Sequence, residues 1–180
     1  YLRSLRAHGW VRDLPQENTV HNKTGDDFKD SYVFALPGYC VRPLEMCGAV
    51  GQIQLNKWDW MWQSRRENAE VAKEHLNGDN FRLQEETGES SWFGFGITLQ
   101  GKLAGRRAEV IHLLEENGVE VRPVVAGNFL RNPVIRHLDY ISASSNPVAD
   151  NIHDNAFFIG NDCQNLEEKI IAVGQLLNSF

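Results

Sequence analysis

Apolar positions recur at helical spacing over one long stretch and at strand spacing over several short ones. Leu44, Gly48, Gly51, Leu55, Trp58 and Trp62 follow one another at intervals of 4, 3, 4, 3 and 4, which draws one continuous stripe along a helix. A glycine inside a helix costs about 1 kcal/mol, so Gly48 and Gly51 on the stripe predict close contact with another element. Trp58 and Trp62 at this spacing are expected in a core or a subunit interface. Arg65, Arg66, Glu67 and Glu70 continue the helix as a solvated charged face, and Gly78 is its expected end. Ahead of the stripe, residues 1–9 read as the end of a helix stopped by Gly9, with His8 in its last turn. Residues 13–30 read as a long polar loop, and Ser31–Leu36 as a short strand with Tyr32 and Phe34 on one face. A Pro-Gly turn in LPGYCVRPLEM (36–46) then joins strand to helix, with Pro43 in the first helical turn. A glycine turn lets backbone come close to a ligand, and a helix start favours an anion. The corner is therefore a candidate phosphate site, although the same pattern also describes a plain connection.

Beyond residue 78 the rhythm changes. Ser90–Leu99 reads as a strand, and Ala104–Asn117 as an amphipathic helix with Val110, Leu113 and Leu114 inward, stopped by Gly118. Val119–Val125 is a second strand, 126–146 a loop, 147–155 a short helix and Ala156–Ile159 a third strand. Asn165 and Glu168 form a plausible capping box for the last helix. This order predicts an α+β sandwich with helices on one face. The expected division is 1–77, ending in the long helix, and 78–180, a compact α+β unit.

With 42% hydrophobic and 23% charged residues, the composition is that of a soluble globular protein, and no apolar run is long enough to span a bilayer. The net charge of −6 argues against a nucleic-acid or membrane surface. An anionic ligand would need a local cluster of arginines. Cys40, Cys47 and Cys163 fit a reducing, cytoplasmic compartment, and their spacing suits neither zinc nor an iron–sulfur cluster. No metal site is expected. GxSxG, HExxH and GxxxxGK[ST] do not occur. Glu120 and Arg122 alternate on one face of the second strand beside Ala126-Gly127-Asn128; such pairs are ordinarily solvated edge residues. The chain begins at Tyr1, inside an apolar-periodic helix, and reads as a fragment.

The segments LRAHGW (5–10), LPGYCVRPLEMCGAVGQIQL (36–55), ETGESSWFGF (86–95) and RPVVAGNFLRNP (122–133) resemble the C-terminal half of the DegT/DnrJ/StrS family of sugar-nucleotide aminotransferases. The latter two segments resemble its 3-dehydratase subgroup. The resemblance implies an α/β architecture, the pyridoxal-phosphate-dependent transferase fold of type I. The chain would supply the end of the large domain, a long linking helix and the small C-terminal α+β domain. It implies a homodimer with active sites at the subunit interface, acting in deoxysugar biosynthesis. Pyridoxamine phosphate condenses with the C4 ketone of a nucleotide-activated 4-keto-6-deoxy sugar, GDP-linked by preference. A histidine, standing where aminotransferases keep a lysine, moves a proton, the C3 hydroxyl leaves, and glutamate regenerates the cofactor's amine form.

Position by position, the resemblance makes His8 and Arg12 a sugar- and phosphate-contacting pair. Tyr32 lines the hexose pocket, and Glu120 and Arg122 form an acid–arginine pair near the nucleotide sugar. Cys40 stands where the family usually has an asparagine that reaches the cofactor phosphate; a thiol is a weaker donor. The catalytic residues are expected upstream of Tyr1, so the isolated chain is expected to be inactive. The rival readings are a 4-aminotransferase of the same family, with lysine in place of that histidine, and a stand-alone non-catalytic α+β binding module.

Overall fold

Phe81, Leu83, Phe95, Ile97, Leu99, Phe157 and Ile159 are all buried in one cluster on one side of a four-stranded antiparallel sheet. Its strands are β1 (Phe81–Leu83), β2 (Gly94–Leu99), β3 (Val121–Pro123) and β4 (Ala156–Gly160), in the order β1-β2-β4-β3. Alternation puts every second residue inward, and the register pairs inward residues with one another: Phe81 with Leu99, Ile97 with Phe157, Phe95 with Ile159. Helices α4 (Trp58–His75), α5 (Arg107–Glu116) and α7 (Glu167–Asn178) complete the core with Ala69, Ala72, Val110, Leu114, Ile170, Val173 and Leu177. α4 and α7 touch closely at Gly174, where a Cβ would lie 2.4 Å from the His75 carbonyl oxygen. α6 (Pro147–Asn155) occupies the residues expected of it. The computed structural model describes Tyr1–Phe180 throughout.

Two compact units emerge, Tyr1–Asn56 and Lys57–Phe180. The first contains α1 (Leu2–Leu5), α2 (Asp27–Asp30) and α3 (Glu45–Leu55). The expected continuous helix is thus two helices, interrupted at Asn56–Lys57. Asn56, a weak helix former, ends α3. The contact division therefore falls after Asn56 and not after residue 77, because α4 packs on α7 as part of the sheet unit. Pro43 precedes α3 instead of entering it. No residue of α3 is buried, and Gly48 and Gly51 have no neighbour within 4 Å of a would-be Cβ, so the predicted close contact is not made within the N-terminal unit.

Three further expectations change for physical reasons. Residues 13–30 are not a plain exposed loop: the carboxylate of buried Asp30 accepts hydrogen bonds from the Thr24 and Gly25 amides and the Thr24 hydroxyl, and these tie the segment down. Burial pushes the Asp30 pKa up, but those hydrogen bonds and nearby Lys23 outweigh it and leave it lowered. Before α7 the capping box does not close, since Asn165 Oδ1 accepts from the Glu167 amide at 2.9 Å while Leu166 is the N-cap. Strand β1 carries no periodic signal in the sequence, because only three residues pair, between polar neighbours.

Candidate functional site

The N-terminal unit is shaped by backbone pairing more than by a core. Helix α1 stops at Leu5, and His8 and Gly9 both adopt left-handed backbone conformations, with φ of 61° and 82°. His8 is therefore not in a helical turn. A non-glycine residue held there costs roughly 1–3 kcal/mol. The turn lets residues 5–11 run antiparallel to 33–41. Tyr39 and Val41 donate their amides to the Leu5 and Arg6 carbonyls, His8 donates to Tyr39, and Ala35 donates to Gly9. Isolated bridges Ala7–Cys40 and Trp10–Phe34 mark the pairing, and the strand expected over Ser31–Leu36 is reduced to the second of these. A Cβ on Gly38 would sit 2.1 Å from the Gly9 nitrogen, and one on Gly9 would sit 1.7 Å from the Leu36 carbonyl oxygen. The Pro-Gly turn thus brings backbone against backbone.

This pairing gathers His8, Arg12 and Tyr32 around one indole. Trp10 meets His8 edge-on at 5.0 Å between ring centroids, Tyr32 at 6.4 Å and Phe34 at 6.2 Å. The Arg12 guanidinium carbon lies 3.4 Å from the centroid of the Trp10 ring. Arg12 makes only a loose ion pair with Asp13, at 3.8 Å, and the other Asp13 oxygen is 3.5 Å from Arg42. Tyr32 and Phe34 are 71% and 58% exposed, so the aromatic surface is open. Chemically this is a set of apolar ring faces beside a planar cation. Such a set suits a sugar ring carrying a phosphate, which a guanidinium can grip bidentately. Trp10, Phe34 and Arg42 were not among the predicted site residues. The period-2 placement of His8, Trp10 and Arg12 was the available signal for Trp10.

Cys40 is exposed in the Ala7 bridge. Helix α3 begins only at Glu45, an acidic residue in its first turn, and its N-cap Leu44 makes no side-chain cap bond. The corner therefore presents a thiol and a carboxylate where a phosphate would need donors.

In the C-terminal unit, Arg122 donates from Nε and Nη2 to a single oxygen of Glu120, at 2.9 and 2.6 Å. Both side chains are exposed, and Arg122 stands opposite Phe158 in the register. A groove of about 700 Å³ between residues 117–120, the end of β4 and α7 is lined by Val119, Ile159, Leu166, Ile170 and Leu176, and by Glu120. It is mostly apolar and contains none of the other predicted residues. Arg66, expected on a solvated face, is instead half-buried. It donates to Glu86 at 3.1 Å and to the Ser90 carbonyl at 2.8 Å, fixing the turn of ETGESSW. The Ser90 amide and Lys73, with Arg66 nearby, hold the Glu86 pKa down to about 2. Beside this turn, Trp92 is buried with φ of 50°. No group of three His, Cys, Asp or Glu side chains is placed to hold a metal ion.

Comparison with known proteins gives these features a context. Residues 1–177 match the DegT/DnrJ/EryC1/StrS aminotransferase family. The chain is 44% identical over 172 residues to a GDP-4-keto-6-deoxy-D-mannose 3-dehydratase of Yersinia pseudotuberculosis, covering 94% of this chain and 44% of that protein. It is 40% identical to the enzyme of the same name from Escherichia coli O55:H7, over 98% of this chain and 46% of the relative. The solved E. coli enzyme with bound hydrated PLP superimposes with a TM-score of 0.89, again over 98% of this chain and 46% of that one. A Helicobacter pylori aminotransferase involved in the biosynthesis of pseudoaminic acid, at 14% identity and a TM-score of 0.73, shows the shared fold alone. The chain thus spans a little under half the length of the relatives it matches, and its architecture is that of the α/β, type I pyridoxal-phosphate-dependent transferases. With nearly every residue inside the match, the chain belongs to the DegT/DnrJ/EryC1/StrS aminotransferase family.

Proposed function

We propose that this chain is the C-terminal part of a pyridoxamine-phosphate-dependent nucleotide-sugar 3-dehydratase, with GDP-4-keto-6-deoxy-D-mannose as its favoured substrate. The observation that carries the reading is 40–44% identity, over nearly the whole chain, to two enzymes named for that reaction. Related structures hold GDP-perosamine and a PLP–glutamate adduct, which supports a GDP-sugar substrate and glutamate as amino donor. We further propose a homodimer in the cytoplasm. No helix here is long and apolar enough to cross a membrane.

The part played by this chain's own residues is binding and orientation. Arg12 grips the diphosphate, while His8 and Tyr32 contact the hexose, and Glu120 and Arg122 are proposed as further nucleotide-sugar contacts. The cofactor would act as the electron relay for loss of the C3 hydroxyl. Cys40, an exposed and weakly donating thiol, is proposed to stand beside its phosphate. Restoring an amide donor with Cys40→Asn should tighten cofactor binding about 2- to 10-fold, the worth of one hydrogen bond. An unchanged cofactor affinity would remove position 40 from the phosphate site.

The test of function uses the full-length protein with pyridoxamine phosphate, glutamate and GDP-4-keto-6-deoxy-D-mannose. The expected result is a product lacking one oxygen, formed while glutamate is oxidised to 2-oxoglutarate and ammonia is released. A product that retains the C3 hydroxyl and carries an amine at C4 would replace the dehydratase reading with transamination.

A further inference from the structure

We propose that Trp10 is a positioning residue for Arg12, holding its guanidinium flat and unspent so that it meets an anionic diphosphate without first breaking an internal hydrogen bond. The inference rests on Arg12 as a substrate contact and adds a residue that this reading did not contain.

Three observations carry it. First, the guanidinium carbon sits 3.4 Å from the indole centroid, in stacking contact, and the Arg12 side chain makes no hydrogen bond within the chain. Its ion pair with Asp13 is long, at 3.8 Å, and Asp13 is shared with Arg42. The cation is therefore held closely by the ring and only loosely by a carboxylate. Second, the indole is itself fixed. Its backbone bridges to Phe34, its amide donates to the Ala7 carbonyl, and His8, Tyr32 and Phe34 pack around the ring. A platform held on several sides transmits its orientation to whatever lies on it. Third, the choice of tryptophan is costly to the fold. Its Nε1 is buried and has no hydrogen-bond partner, and an unpaired buried N–H is destabilising. Phenylalanine would keep an aromatic face beside Tyr32 and Phe34 without that unpaired donor. What phenylalanine lacks is the wider, more electron-rich face that makes indole the best partner for a cation.

A purely structural Trp10 and a positioning Trp10 therefore predict different things for Trp10→Phe. The test measures GDP affinity by calorimetry, and melting temperature, in the full-length holoenzyme. The variants are Trp10→Phe, Trp10→Leu, Arg12→Ala and the double variant Trp10→Leu/Arg12→Ala. Positioning predicts that Trp10→Phe melts close to the wild-type temperature yet binds GDP more weakly. Trp10→Leu should bind about 2- to 5-fold more weakly, the range expected for a partly exposed cation–π contact. In the Arg12→Ala background Trp10→Leu should have no further effect. The inference is overturned if Trp10→Phe and Trp10→Leu leave GDP affinity unchanged while Arg12→Ala lowers it. It is also overturned if Trp10→Leu weakens binding equally with and without Arg12, because Trp10 would then act through general packing. Full GDP affinity in Arg12→Ala is a separate result: it removes Arg12 from the site, and the inference falls with the reading beneath it.

Discussion

The two units of this chain use apolar residues in opposite ways. In Lys57–Phe180, aromatic and aliphatic side chains from β1, β2, β4 and three helices close into one buried cluster, against which Val121 of β3 packs. In Tyr1–Asn56 the buried apolar residues are only Ala7, Val11 and Leu14, while Tyr32, Phe34, Tyr39, Leu44, Met46, Val50, Ile53 and Leu55 are exposed. The first unit is held by burial, the second by backbone hydrogen bonds between 5–11 and 33–41 and by glycines that let those segments touch. An apolar surface left open in this way is available for binding. The only stacked, hydrogen-bond-free arginine of the predicted site lies on that side of the comparison.

Breaking each unit should therefore need a different kind of substitution. Phe157→Ala removes a fully buried ring from the centre of the sheet and should cost about 3–5 kcal/mol, read as a shift in the chemical-denaturation midpoint. A loss below about 1 kcal/mol would mean the cluster is not the source of stability. Gly9→Ala is expected to act next most strongly. The left-handed conformation alone costs roughly 1–3 kcal/mol for a side chain, and the Cβ would also strike the Leu36 carbonyl. Its signature should be regional, with faster amide exchange at Ala35, Tyr39 and Val41 and unchanged protection in β2 and β4. Uniform loss of protection would erase the distinction between the units.

Acid offers a finer probe of the C-terminal unit. Glu86 has a native pKa of about 2, held down first by the Ser90 amide and then by Lys73, against an ordinary value near 4.5. A depressed carboxylate contributes stability that is fully present above the unfolded pKa and is lost as pH falls through the folded one. The melting-temperature difference between wild type and Glu86→Gln should thus be constant above about pH 5 and shrink between about 4.5 and 2. A difference that persists unchanged at pH 2 would sink this assignment. The smallest effect on stability is expected from Arg122→Ala. Its exposed pair with Glu120 should contribute no more than about 0.5–1 kcal/mol, so the variant should keep its melting temperature and cofactor absorbance while losing nucleotide-sugar affinity. Unchanged affinity would take Arg122 out of the site.

How far the sequence could be read follows the same division. Periodicity located β2, β4, α5 and α7 because those elements exist by burying one face. It failed where something other than a buried face decides structure. The stripe from Leu44 to Trp62 reads as one helix, but a stripe does not report the interruption at Asn56–Lys57. Charge alone placed Arg66 on a solvated face, while the chain turn at Glu86–Ser90 recruits it inward. In the proposed site, His8, Arg12 and Tyr32 come from resemblance, and all three lie around one ring. Trp10 at their centre is not legible in the sequence, because its placement depends on pairing with Phe34, and the left-handed turn at His8–Gly9 sets that pairing.

The most direct test of the central claim is a calorimetric titration of the full-length holoenzyme with GDP, comparing wild type with Arg12→Ala. A charge-assisted hydrogen bond contributes about 1.5–3 kcal/mol. The account therefore predicts at least a tenfold loss of affinity with melting temperature and cofactor absorbance unchanged. Equal affinity in the two proteins would contradict it and leave the open aromatic cluster of the N-terminal unit without a diphosphate to hold.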